Sequence, residues 1–181
     1  MHGLYFLELQ KYAQTRHGST AWKALFEEAG FPERRYLAFN TYPDEEAKAL
    51  VEAAARRAGT SAPLLLEDFG AFMIPRWFGA GVTHAKPTWR TLESLLKRSR
   101  AIGAAACQTH PATELPDVRI SRIAEDRVLI EYDSPRRLCA LLKGMARGIA
   151  AHYRERVSVT ERRCMHEGAA KCEVEVAQLA G

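Results

Sequence analysis

Apolar positions recur at helical spacing through the first half of the chain and at every second residue through much of the second half. Leu4, Leu7 and Tyr12 define a helix over 4–17, with Gly18 suited to end it. Ser19 or Thr20 can cap the next helix, which carries Trp22, Leu25 and Phe26 and runs to Gly30. From Asp44 to Arg57, Ala47, Leu50, Val51 and Ala54 lie on one side and Glu45, Glu46 and Lys48 on the other, an amphipathic helix. Thr60 or Ser61 caps a further helix through Leu65, Phe69 and Phe72, and Pro75 is expected to break or bend it near Trp77 and Phe78. Thr88 to Ala106 reads as a long helix ending before Pro111.

The period then changes. Val118, Ile120 and Ile123, and then Val128, Ile130 and Tyr132, alternate as two strands joined by a turn at Glu125-Asp126. Arg136 to Tyr153 returns to helical spacing, with Leu138, Leu141, Leu142, Met145 and Ile149 along one stripe. Val157-Val159 and Cys172-Val174-Val176 form a last hairpin around Glu167-Gly168. The expected architecture is α+β, a single domain over 1–181. A helical lobe (about 1–80) precedes an α+β lobe (about 81–181) with an antiparallel sheet of about four strands, and a ligand would lie between the lobes.

Composition narrows the function classes. The chain has 181 residues, enough for one substantial core, and its 47% hydrophobic and 27% charged content is ordinary for a globular protein. No apolar run approaches the ~20 residues needed to span a bilayer. The first eight residues lack a basic n-region and a cleavage site, so a cytoplasmic location with reduced cysteines is expected. The net charge of +4 is modest. Lys97-Arg98-Ser99-Arg100, Arg136-Arg137 and Arg162-Arg163 read as solvated faces, without the interleaved aromatics a nucleic-acid partner would want. No motif sets a nucleophile beside a base, so catalysis is not expected.

Tyr132-Asp133-Ser134-Pro135-Arg136 carries the clearest chemistry. A phenol, a hydroxyl and a guanidinium at alternate positions of an extended segment point the same way. Arginine offers a planar fork to a carboxylate, and tyrosine and serine add single donors. The bland alternative is a strand end followed by a helix cap from Ser134.

The chain resembles the heme-nitric oxide/oxygen-binding (H-NOX) domain family along nearly its whole length. The matching landmarks are Met1-His2-Gly3-Leu4, His17-Gly18, Ala21-Trp22, Tyr42-Pro43-Asp44-Glu45, Leu65-Leu66-Glu67-Asp68-Phe69-Gly70, Pro116, the Tyr132/Ser134/Arg136 trio, Cys164-Met165-His166-Glu167-Gly168 and Cys172. The resemblance implies the H-NOX fold, heme b as cofactor, and a trio that grips the heme propionates. It implies a gas sensor that signals to a partner protein, usually a histidine kinase or a cyclic-nucleotide enzyme.

One family position departs. The proximal histidine that bonds iron lies thirteen residues before the proline preceding the first strand, and counting back from Pro116 gives Gly103. Glycine has no side chain to offer. Either a nearby residue replaces it (His110 and Cys107 are closest, His84 more remote), or heme is held by its propionates and faces with an external ligand or none. In a third account the cleft takes another hydrophobic carboxylate, such as a fatty acid. Tyr5, Leu9, Phe72, Ile74 and Leu141 are the expected apolar lining, with Gly103 and Pro116. Leu141 stands where oxygen-binding relatives carry a tyrosine, which points to NO rather than O₂.

Four cysteines complete the picture: Cys107, Cys139, Cys164 and Cys172. A hairpin brings Cys164 and Cys172 together, and the helix bearing Cys139 packs on the sheet, so three thiolates can converge as tetrahedral zinc requires, with a redox-active thiol cluster or inert cysteines as the alternatives. The arrangement is similar to bacterial H-NOX proteins with a site of three cysteines and one histidine. That histidine falls at Glu161 here, leaving Glu161 or His166 as the fourth ligand.

Overall fold

The computed structural model describes residues 1–79, 90–97 and 116–179. Met1–Phe69 and Gly70–Gly181 are two compact units.

The first unit is built from α1 (Gly3–His17), α2 (Ala21–Ala29), α3 (Asp44–Arg57) and the start of α4 (Ala62–Gly79). His2 caps α1, its Nδ1 accepting the Leu4 N–H at 3.3 Å. A Cβ on Gly3 would lie 1.9 Å from the Leu37 carbonyl oxygen, so this turn admits glycine alone. Gly18, at φ 91°, ends the helix. Thr20 occupies the N-cap of α2 with a helical backbone and no side-chain bond, so neither Ser19 nor Thr20 makes the expected cap. Ser61 does cap α4, accepting the Leu64 N–H at 3.4 Å. Helix α3 opens with Asp44, Glu45 and Glu46 and closes with Arg56 and Arg57, charges that oppose its dipole at both ends. Phe6 stacks on Tyr36 with ring centroids 4.0 Å apart, in a core that also holds Leu9, Trp22, Phe26, Leu50 and Phe69.

In the second unit, α4 runs through Pro75 to Gly79 instead of breaking there. Proline removes the bond to the carbonyl four residues back, that of Ala71. This carbonyl faces Gly148, where an added Cβ would come within 2.8 Å of the oxygen. The missing side chain leaves room for that carbonyl, and the helix continues to Gly79. Gly70 similarly lies against the Leu141 carbonyl, with 2.3 Å to a hypothetical Cβ. The partner helix, α6 (Cys139–Tyr153), is thus held to α4 by backbone contact at two glycines.

Residues 91–97 form α5, its first N–H held by Glu155 at 2.8 Å. The remainder of the long helix expected over 88–106 lies outside the described residues. Strands β1 (Asp117–Ala124), β2 (Arg127–Asp133), β3 (Val157–Arg163) and β4 (Cys172–Gln178) make one antiparallel sheet in the order β1-β2-β4-β3. Val128, Ile130, Val174 and Val176 face Ile149 and Ala146 of α6 together with Ile74, Leu92 and Leu95. The fold is α+β, as expected. Among the described residues, no helix is long and apolar enough to cross a membrane.

Helix α6 starts at Cys139, three residues later than the pattern predicts, because Ser134 to Leu138 form a turn. Arg137 sits at φ 49°, a left-handed conformation that no helix start tolerates.

Candidate functional site

Two groups of candidate side chains lie in the second unit. The first is the Tyr132/Ser134/Arg136 trio at the end of β2. Burial alternates there: Tyr132 and Ser134 are 4% and 3% exposed, Asp133 and Pro135 are exposed, and Arg136 is half-buried. The extended segment expected through Arg136 ends at Asp133, however, and Arg136 lies in the turn that follows, so alternation places only Tyr132 and Ser134. The Tyr132 hydroxyl accepts the Leu138 N–H at 3.0 Å. Ser134 Oγ accepts the Arg136 N–H at 3.3 Å, closing the turn rather than capping α6. Burial lifts the Tyr132 phenol above its ordinary range, and hydrogen bonds from Ser134 and Leu138 pull it partly back. Accepting the Leu138 N–H does not use the Tyr132 proton.

The second group is the thiol cluster. One ligand atom each from Cys139, Glu161, Cys164 and Cys172 lies within 4.8 Å of the others. Cys139 opens α6, Glu161 is on β3, Cys164 follows β3, and Cys172 begins β4. A bulge between Glu161 and Arg163 shifts the register and brings Cys164 to the side of the sheet that Glu161 faces. The cysteines are 2%, 5% and 0% exposed in chain order. Cys139 and Cys164 sulfurs are 3.8 Å apart, and all three described cysteines are free. The Met165 N–H donates to Cys172 Sγ at 3.2 Å, the kind of bond that stabilises a thiolate.

Burial pushes the Cys139 thiol up, and the neighbouring Cys172 and Cys164 add to the shift. Cys164 is raised as well, first by burial. Burial also acts to raise Glu161. The Cys164 thiol and the Lys143 ammonium outweigh it and hold the carboxyl below its usual range. Lys143 Nζ is 3.2 Å from Glu161 Oε2, while Oε1 is buried with no hydrogen-bond partner. His166 is engaged elsewhere, its Nε2 2.9 Å from the Arg137 carbonyl. Of the two candidates for a fourth ligand, Glu161 is the one beside the thiols.

The groups share a wall. Tyr132 and Cys172 are direct cross-strand partners, and Tyr132 packs in one cluster with all three thiols. Lys143 was not expected from the sequence, although its place one turn after Cys139 on a helix was a usable signal. The Leu138 N–H, a backbone group, left none.

The remaining candidates lie as follows. Tyr5 packs edge-on against Phe6 and Phe69, and Leu9 is fully buried, both in the first unit. In the second, Phe72 is half-buried under the Arg76 guanidinium, and Ile74 belongs to the core between sheet and α6. Leu141 and Pro116 are half-buried. Gly103, Cys107, His110 and His84 lie outside the described residues.

The sequence model of a family described as Haem-NO-binding matches residues 2–161. No curated protein matches the chain. Among solved structures, an H-NOX protein from S. oneidensis in the Fe(II)NO ligation state is similar at 22% identity and TM-score 0.89, over 99% of this chain and 100% of that one. A histidine-to-glycine mutant of a Shewanella oneidensis H-NOX domain in the Fe(II)CO ligation state is 22% identical, with TM-score 0.86 over 100% of both chains. An Fe(II) unliganded H-NOX protein mutant from K. algicida is 16% identical, with TM-score 0.80 over 100% of this chain and 98% of that one.

Proposed function

Because this chain belongs to the Haem-NO-binding family, we propose that it is a sensory domain that holds heme by its acid groups and responds to nitric oxide, passing the signal to a partner protein. The observation that carries this reading is the trio. A buried phenol, a buried hydroxyl and a half-buried guanidinium within five residues suit the paired carboxylates of a porphyrin. Bound heme would supply the iron to which a diatomic gas attaches. The chain's own part is to fix the acid edge through Tyr132, Ser134 and Arg136. Leu141 offers no hydrogen-bond donor to a bound gas, which favours NO over O₂.

Gly103 has no side chain to offer iron, so heme would be held with a substitute such as His110, with an external ligand, or by its acid groups and faces alone. A relative solved with glycine in place of a histidine in the Fe(II)CO state supports heme retention. The partner would be a histidine kinase or a cyclic-nucleotide enzyme. The test is an absorption spectrum of protein from heme-sufficient cells, before and after hemin reconstitution. A Soret band that shifts on adding NO is the expected result. No band after reconstitution defeats the heme reading, and a fatty acid found by native mass spectrometry would put a different carboxylate in its place.

The thiol cluster is read as a second, structural site that takes Zn²⁺ through Cys139, Cys164, Cys172 and Glu161. A Zn–S bond of about 2.3 Å in a tetrahedron sets sulfurs roughly 3.8 Å apart, the spacing found between Cys139 and Cys164. The buried, unpartnered Oε1 of Glu161 is an acceptor waiting for a cation. Elemental analysis of protein purified without chelator checks this, with stoichiometric zinc expected.

A further inference from the structure

Lys143 stands beside the thiol cluster without belonging to it. It lies one helical turn after Cys139, so both side chains leave α6 on the same face. Its ammonium holds Glu161 Oε2 at 3.2 Å, and the two side chains are only 16% and 24% exposed. The carboxylate is thereby divided, with Oε2 on the lysine and Oε1 buried without a hydrogen-bond partner.

Charge arithmetic gives that division a consequence. Three thiolates and a neutral imidazole around a dication leave one net negative charge. Exchanging the imidazole for a carboxylate leaves two, in a site whose sulfurs are almost entirely buried. Excess charge at low dielectric is costly unless an opposite charge lies close by. A single ammonium 3.2 Å from the carboxylate restores the balance of the imidazole-bearing site.

We propose that Lys143 is the built-in counter-charge of a three-thiolate, one-carboxylate metal site, so that metal retention here depends on a side chain that touches no metal. The inference rests on the zinc reading of the cluster. Lys143 is a positioning residue: it orients Glu161 with one oxygen toward the thiols and neutralises the charge that a carboxylate brings. A merely structural role, tying α6 to β3, would instead show as lost stability of the metal-free chain with metal affinity untouched.

The test measures Zn²⁺ affinity of the whole chain by competition with a chromophoric chelator, alongside thermal unfolding of the metal-free protein. Lys143→Met is expected to weaken Zn²⁺ binding about tenfold or more, the usual cost of losing a group that supports a metal ligand. Lys143→Arg, which keeps the charge, should stay near the unaltered chain, and Lys143→Gln should follow the methionine variant. With Glu161→His in place, adding Lys143→Met should change affinity little, because the excess charge is gone.

Undiminished Zn²⁺ affinity in folded Lys143→Met overturns the proposal, as does an equal loss with and without Glu161→His. If the unaltered chain takes up no Zn²⁺, the reading of the cluster itself falls and the counter-charge with it. That failure is distinct, because it is seen before any lysine variant is made.

Discussion

The two functional corners of the second unit differ in what they lack. At Tyr132/Ser134/Arg136, the two side-chain oxygens already hold backbone N–H groups. At Cys139/Glu161/Cys164/Cys172, a carboxylate oxygen is buried without a hydrogen bond and burial disfavours thiolates. The first corner has its two oxygens positioned before any ligand binds. The second keeps a buried carboxylate oxygen that a bound metal ion would satisfy. A ligand should therefore add binding at the trio and add stability at the thiols.

Separating the corners by mutation gives the largest effects. Cys172→Ala should abolish zinc retention and with it the zinc-linked stability, about 4 kcal/mol at a thousandfold excess of free Zn²⁺ over its dissociation constant. Thermal unfolding with and without Zn²⁺ measures this, and the two curves should coincide in the variant. Arg136→Ala should do the converse, leaving the zinc-dependent shift intact while heme is lost on gel filtration. If Cys172→Ala still shows the full shift, the contrast between the corners is mistaken.

The mount common to both corners comes next. Helix α6 carries Cys139 and Lys143 and is pinned to α4 at two glycines. Gly70→Ala would drive a Cβ to 2.3 Å from the Leu141 carbonyl, a backbone atom that cannot swing aside. A destabilisation of about 1–3 kcal/mol is expected in urea unfolding. Gly148→Ala, with its nearest atom at 2.8 Å, should cost less. The reverse order would mean that the helices adjust more easily than their contacts imply.

What the sequence made legible follows the same division between pattern and packing. Asp44–Arg57 could be bounded because a one-sided apolar face, acids at its start and arginines at its end all agree. The burial of Tyr132 and Ser134 around an exposed Asp133 is what alternation predicts. That α4 continues past Pro75 was not legible, because the residue opposite the Ala71 carbonyl, Gly148, lies more than seventy residues downstream. The start of α6 was misplaced because a left-handed Arg137 has no composition signal. Choosing between Glu161 and His166 needed the bulge in β3. Strict alternation would put Cys164 on the opposite side from Glu161, and the bulge reverses that phase. The resemblance to a known family located the residues of both corners, while the role of Lys143 required the fold.

Tyr132→Phe probes the claim that the trio's oxygens are positioned before any ligand binds. It removes the acceptor for the Leu138 N–H and leaves a partly buried donor unmet. About 1–2 kcal/mol should be lost in heme-free protein, read from the urea midpoint at constant slope. No change in the heme-free protein would show that the hydroxyl is held for the ligand alone. In that case the two corners would be alike.

The pH dependence of stability discriminates most between the metal-free and zinc-bound chains. In metal-free protein, burial and the neighbouring thiols hold Cys139 above the ordinary thiol value of 9.0. Below that value the thiol is protonated in both folded and unfolded chains, so it contributes no slope. Above it the unfolded thiol ionises while the folded one keeps its proton. The folded state then binds more protons, and stability falls as pH rises, by at most about 1.4 kcal/mol per pH unit for each such thiol. Zinc reverses the sign. Bound thiolates are deprotonated in the folded state, so acid competes with the metal and the zinc-bound chain loses stability as pH falls. Urea midpoints across pH 6 to 10, with chelator and with Zn²⁺, should therefore slope in opposite directions at the two ends. Parallel curves would mean that the thiols feel neither burial nor metal, and the thiol corner would be as indifferent to its contents as the trio.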